Sequence, residues 1–314
     1  MWSPKTASAL RESMARNRTF GALKRSSVVT RVSQPREGPL DGGSPHGGPS
    51  VPTRSVRLRP MVLDPVEVLG VPVGRMTTME AIATVERAAL EGAPALVVYV
   101  NAHTLNTASK EPAYRRLLGS AAVVLNDGAG LSVAGRLYGK PFPENLNGSD
   151  FNPEIARLAA RHGWSLFLLG ARPGVADRAA ERLVTAIPEL EIAGTRDGFF
   201  ERSDDRVVAA QIQDSGADVV MVAMGNPLQE RWLAANLAST GARLGVGVGA
   251  FFDFTAGEVP RSPRWMNRLG IEWIYRLLQE PRRMWRRYIL GNPAFLVRIV
   301  AERVKRPARP SERS

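Results

Sequence analysis

Residues able to do chemistry gather in short polar segments that follow apolar runs. Asn101, His103, Thr104 and Asn106 follow ALVVYV, and Asn126 and Asp127 follow AAVVL. GARPG (Gly170 to Gly174) follows WSLFLL, GNPLQE follows DVVMVAM, and Asp253 follows RLGVGV. A carboxylate in such a place can take a proton from an attacking hydroxyl within hydrogen-bond reach. Asp127 and Asp253 both qualify. Asp127 precedes Gly128, so an Asp-Gly turn or a helix cap is the competing reading. Asp253 follows Phe251 and Phe252, where packing explains the neighbourhood equally well. Asp150, in NGSD, is either a site carboxylate or the cap of a helix beginning at Phe151.

GARPG joins a strand to a helix. Its glycines let a backbone approach a ligand closely, and the helix start offers unpaired N–H groups to an anion. It matches neither GxGxxG nor a Walker A run, so an ordinary tight turn competes with phosphate binding by Gly170, Arg172 and Gly174. His46, His103 and His162 are the only histidines, and no spacing among them resembles a metal triad. No metal site is expected. Any diphosphate must then be neutralised otherwise. Arg276, Arg283 and Arg286 stand seven and three residues apart and would share a face of an uninterrupted helix, although Pro281 intervenes. A solvated basic face is the alternative. A third is adsorption to anionic lipid, with Trp273, Leu277, Trp285 and Ile289 beneath the charges.

These residues need elements to position them. VEVLGVPV reads as strand, turn, strand, and TTMEAIATVERAALEG as a helix capped by Thr77 or Thr78 and closed by Gly92. Six further apolar runs follow: 95–101, 121–127, 164–170, 190–195, 218–225 and 243–250. Helical patterns lie between them at Thr104–Leu118, Phe151–His162, Val175–Ile187, Asp204–Ser215 and Pro227–Ser239. Apolar strands alternating with helices predict an α/β fold: a Rossmann-like, mostly parallel sheet covered by helices on both faces. Ligands of such sheets bind at the carboxyl ends of the strands, where the polar segments fall.

The 314 residues carry a formal net charge of +12, unevenly spread. Residues 1–60 hold 11 basic and 3 acidic side chains, residues 61–260 hold 17 and 23, and residues 261–314 hold 14 and 4. An acidic middle argues against a uniformly basic nucleic-acid binder. Three regions are expected: a disordered basic extension (1–60), an α/β body (61–260) and a helical cationic appendage (261–314), its helices broken at Pro281 and Pro293. Met61 would serve as an alternative start. The absence of cysteine excludes a disulfide framework and a thiolate metal site. No apolar run is long enough to span a membrane, and the amino end lacks the apolar core of a secretory signal.

From about Val66 to Tyr288 the chain resembles the bacterial WecG/TagA/CpsF glycosyltransferases, glycosyltransferase family 26. The resemblance is carried by NAHTLN, NDGAG, NGSD, LGARPGVADRAAERL, RDGFF, MGNPLQERW and GVGAFFDFTAGEVPRSPRW…GIEWIYRLLQEPRRMWRRY, in that order. It implies an inverting, metal-independent hexosyltransferase with no cofactor. A sugar, whether of N-acetylmannosamine type, a uronic acid or glucose, would pass from a UDP-sugar to a polyprenyl-diphosphate-linked acceptor at the inner membrane face, for exopolysaccharide, capsule or cell-wall polymer. The resemblance makes Asp127 the base, aligns Gln229 with the family's glutamine, and matches Arg276, Arg283 and Arg286 to arginines that close over the nucleotide. Many relatives have proline where Asn126 stands; the change leaves the carboxylate and glycine in place.

The expectation is therefore a glycosyltransferase, cytoplasmic and peripheral on the membrane. Asp127 would be its base, and Asn101, Thr104, Asn106, Asp150, Gly170, Arg172, Gly174, Gln229, Asp253 and the arginines would contact substrate. Its partners would be a UDP-sugar, a lipid-linked saccharide and an anionic membrane surface, with no nucleic acid; a homo-oligomer is allowed but not indicated. The alternative is a non-enzymatic, nucleotide-binding basic adaptor that docks on membrane or RNA. A nicotinamide dehydrogenase is disfavoured, because Asn101–Asn106 lacks the glycines that fold requires after its first strand.

Overall fold

The computed structural model describes residues 64–263, 266 and 272–305, with the side chain of Arg283 outside that set. The expectations for residues 1–60 and for Met61 fall outside the described residues. Strands β1 (Val66–Val68) and β2 (Val71–Val73) form an antiparallel hairpin. The main sheet has six strands: β3 (Ala95–Val100), β4 (Val123–Asn126), β5 (Leu166–Gly170), β6 (Ile192–Arg196), β7 (Val219–Ala223) and β8 (Leu244–Gly247). Their order is β4-β3-β8-β7-β5-β6, and every pair is parallel.

The apolar runs explain this sheet. All side chains of β3, β4, β5, β7 and β8 are buried. Successive residues point to opposite faces, so Val97 and Tyr99 enter one core while Leu96, Val98 and Val100 enter the other. Helices α1 (Thr78–Leu90), α5 (Gly148–His162), α6 (Val175–Ala186) and α9 (Phe251–Ala256) cover the first face. On the second lie α2 (Ala102–Lys110), α3 (Pro112–Ser120), α4 (Ala129–Leu137), α7 (Asp205–Ser215) and α8 (Leu228–Asn236). Gly245 lets α8 lie close to the sheet, since a Cβ there would fall 2.7 Å from Leu233.

Local chemistry revises several expected boundaries. Thr77 caps α1 in a reciprocal box with Glu80, and Gly92, at φ +82 just after the C-cap Glu91, closes the helix as expected. The helix expected over Thr104–Leu118 is two helices, because Pro112 cannot supply the N–H that would continue the first and instead opens the second. The helix expected from Phe151 begins at Gly148, and its cap is Asn147 rather than Asp150. The carboxyl segment forms α10 (Glu272–Gln279), α11 (Pro281–Trp285), a π-helical turn (Arg286–Leu290) and α12 (Gly291–Lys305). Pro281 does break the segment. Pro293 does not: it sits in the first turn of α12, directly after the π-helical turn, where proline is tolerated.

Helix α12 is packed into the second face of the body. Phe295 and Ile299 are fully buried there among Leu105, Leu131 and Ala134. Polar clasps fix its register. Asn106 Nδ2 donates to the Gly291 carbonyl at 2.7 Å, and Arg298 donates to Asn106 Oδ1. Glu302 accepts from Leu69 N at 2.9 Å and from the Tyr138 hydroxyl at 2.6 Å.

Candidate active site

The site starts from a crevice. Strand β3 leads into α2 on the second face, whereas its neighbour β8 leads into α9 on the first. Neighbouring strands whose connections part in this way leave an opening at their carboxyl ends. Asn101 and Asp127 stand on its edge, at the ends of the paired strands β3 and β4. The Asp127 N–H donates to the Val100 carbonyl at 2.9 Å, which extends the ladder by one residue and fixes the carboxylate at the rim.

Asp127 is not a helix cap. Helix α4 is capped by Gly128, with no side-chain bond. Instead the Asp127 carboxylate accepts from Asn101 Nδ2 at 3.0 Å. The other end of that amide is also held, since Asn101 Oδ1 accepts from Thr104 N at 3.1 Å and from the Thr104 hydroxyl at 3.2 Å. Thr104 is completely buried, so its place is beneath Asn101. Asn145, which sequence reasoning missed, accepts the Gly128 N–H at 2.8 Å and steadies the loop from the other side.

The carboxyl segment reaches this rim. Burial pushes the Glu272 carboxyl up; the cations of Arg276 and Arg261 oppose the shift, and the negative charges of Asp127 and Asp150 add to it. Glu272 therefore shares one electrostatic field with Asp127 and Asp150. Arg261 lies 3.5 Å from Asp150 and donates to the Ser149 carbonyl. Arg276 is 3.4 Å from Glu272 and stacks 4.5 Å above the Phe254 ring. Glu272 and Arg261 were not foreseen. An acid within the strongly basic segment 261–314 was the available signal for Glu272.

Other expected site residues are placed differently. Asn106 is buried and engaged by α12, away from the Asp127 rim. Gln229 is 2% exposed, with its amide bonded to backbone and to Glu230. Asp253 is half-buried in the first turn of α9, where its carbonyl accepts from Glu258 N and Val259 N. Arg286 is exposed, its guanidinium 5.3 Å from the Trp285 ring, and the Arg283 side chain lies outside the described residues. Because Pro281 splits the segment, Arg276, Arg283 and Arg286 sit on three consecutive elements rather than on one helix.

The GARPG loop forms the far end of the rim. Gly170 has φ +132, and a Cβ there would come within 2.5 Å of the Ala223 carbonyl, so only glycine fits. Ala171 also adopts positive φ, and Gly174 opens α6 without a side-chain cap. Arg172 pairs with Glu258 at 3.2 Å. From β4 to β5 is four strand spacings in the sheet order, about 19 Å. A ligand touching both Asp127 and this loop must be extended. Among the described residues, no group of three His, Asp or Glu side chains could hold a metal ion.

Fold and rim together define a doubly wound α/β protein with a polar rim at the carboxyl ends of its strands. A sequence model of the Glycosyl transferase WecG/TagA/CpsF family matches residues 66–309. The chain belongs to that family, and the protein is a glycosyltransferase. It is similar to the N-acetylglucosaminyldiphosphoundecaprenol N-acetyl-beta-D-mannosaminyltransferase of Bacillus subtilis (strain 168), with 32% identity over 208 residues, 66% of this chain and 80% of that protein. An enzyme of the same description from Bacillus spizizenii is 34% identical over 206 residues, covering 66% of this chain and 79% of its own.

Proposed function

We propose that the enzyme transfers an N-acetylmannosamine-type sugar from a UDP-sugar to a saccharide carried on a polyprenyl diphosphate. The observation that carries this reading is Asp127, fixed at the crevice by Asn101, in a chain similar to two enzymes named for mannosaminyl transfer to a diphosphoundecaprenol acceptor. Asp127 would accept the proton of the acceptor hydroxyl as its oxygen attacks the anomeric carbon. UDP would leave from the opposite face, inverting the configuration. General-base assistance of this kind is worth about 10²–10⁴-fold.

The departing diphosphate gathers charge, and arginines can stabilise it electrostatically. Arg276 already sits at the rim, where diphosphate would replace Glu272 as its partner. Arg283 and Arg286 would follow on the next elements. The span of the rim would suit an extended ligand such as a nucleotide-sugar, with Gly170, Arg172 and Gly174 at the end remote from Asp127. Asp150 and Asp253 would flank the sugar, with Asn101 and Thr104 setting the base.

A lipid-linked acceptor implies work at a membrane surface. Among the described residues no helix is long and apolar enough to cross one. The carboxyl segment instead exposes Trp285, Ile289, Leu296, Val300 and Val304, spaced for one stripe of a helical run, beside Arg286 and Lys305. Peripheral adsorption on the cytoplasmic face is part of the same proposal. The test is purified enzyme with a polyprenyl-diphosphate-linked N-acetylglucosamine and a panel of UDP-sugars, with UDP release measured. Release from UDP-N-acetylmannosamine that persists in EDTA is expected. No release from any donor, or activity that EDTA abolishes and magnesium restores, contradicts the proposal.

A further inference from the structure

Beneath the rim lies a buried polar cluster that the proposed chemistry does not use. Glu230 is completely buried, at the start of α8. Donors converge on its carboxylate: Asn226 Nδ2 at 2.6 Å, Gln229 Nε2 at 2.8 Å and the Tyr114 hydroxyl at 3.1 Å. A carboxylate accepts at both oxygens, so it suits a pocket lined by donors. Gln229 carries the effect outward. Its Nε2 faces Glu230, so its Oε1 must face the other way, where it accepts from Gly225 N and Gly249 N, each at 3.1 Å. Gly225 lies just past β7 and Gly249 just past β8. One amide oxygen thus ties together the loops that leave two adjacent strands at the crevice. Gly247 makes room for it, since a Cβ there would fall 2.9 Å from Gln229 Nε2.

We propose that Glu230 is a positioning residue: by fixing which way the Gln229 amide points, it holds the loops after β7 and β8 in the form that receives the nucleotide-sugar. The substrate named here rests on the function proposed above. Burial raises the Glu230 carboxyl to about 7, and its hydrogen-bond donors limit the rise. Tyr114, from α3, is pushed well up by its own burial and then by the negative charge of Glu230. Arg231, next in the chain, lies over the ring of the same Tyr114 and pairs with Glu111.

This arrangement distinguishes two substitutions. Glu230→Gln keeps an acceptor for Asn226 and Gln229, and its new N–H₂ can donate to the Tyr114 oxygen, because a hydroxyl both gives and takes. Glu230→Leu leaves three donors without an acceptor and frees the Gln229 amide to turn. UDP affinity is measured by calorimetry across pH 5–8, and amide exchange at Gly225 and Gly249 by NMR. The expected result is that Glu230→Leu and Gly247→Ala weaken UDP binding about 10-fold or more and expose both amides to exchange. Glu230→Gln should stay within about threefold of the parent and remain level across that pH range. UDP affinity unchanged in folded Glu230→Leu and Gly247→Ala overturns the proposal, as does equal damage by Glu230→Gln. If the parent protein itself binds no UDP, the proposed substrate fails, and the exchange readout alone then decides the clasp: protection retained in Glu230→Leu refutes it.

Discussion

Replacing Phe295 by alanine should undock the last helix without unfolding the sheet. Phe295 and Ile299 are the apolar anchors of α12, with relative exposures of 1% and 0%. The Phe295 ring lies against Gly130 of α4, where an added Cβ would come within 3.4 Å of it. Truncating a buried phenylalanine costs about 3–5 kcal/mol. The polar clasps from Asn106 and Glu302 remain, each contributing about 1 kcal/mol. Because α12 ends the described chain, the loss falls on local opening rather than on the whole sheet. Three kcal/mol is about 10²-fold in an opening equilibrium. Hydrogen exchange followed by mass spectrometry should therefore show peptides from 291–305 exchanging about 10²-fold faster, with β3, β7 and β8 unchanged. A change of less than about threefold in α12 would refute the docking argument. Equal loosening of the central strands would show instead that α12 is not a separable layer.

Other perturbations have definite signs. Gly170→Ala forces a Cβ against the Ala223 backbone at positive φ, a cost of about 2–3 kcal/mol; the melting temperature should fall by roughly 5–10 °C, and an unchanged value would mean the loop relaxes freely. His103 is held down to about 4 by burial and then by the Arg287 cation. The folded state thus binds fewer protons there than the unfolded chain between pH 4 and 6.5, so the stability this histidine allows above pH 6.5 is lost as pH falls through that window. His103→Gln should flatten the pH dependence of urea unfolding in that window, and an identical slope would remove His103 as its source. Arg286→Ala with Ile289→Ser should lower binding to anionic vesicles at low salt; binding that neither the variant nor high salt alters would exclude adsorption by this segment.

The sheet was legible because every central strand is apolar throughout and bounded by glycine or polar residues, as at ALVVYV before Asn101. The place of Asp127 at a strand end was legible because it needs only the order of elements. Residue types could not say which way a polar side chain points. Thr104 and Asn106 lie two residues apart in one helix, yet Thr104 supports Asn101 while Asn106 grips α12. Gln229 and Glu230 read as a helix start near the rim, and their burial became visible only when Tyr114, from a distant helix, closed over them. Glu272 was hidden among arginines. The carboxyl segment read as an appendage because its aromatic and basic composition differs from that of the body; Phe295 and Ile299, which join it to the core, fit an unremarkable apolar pattern.

The central claim is that Asp127 is the base for transfer of a sugar from UDP to a lipid-linked acceptor. Asp127→Asn preserves the size of the side chain and removes its basicity. With UDP-N-acetylmannosamine and a polyprenyl-diphosphate-linked N-acetylglucosamine, transfer by this variant should fall about 10²–10⁴-fold while UDP affinity stays within about threefold. Transfer at the parent rate would contradict the account.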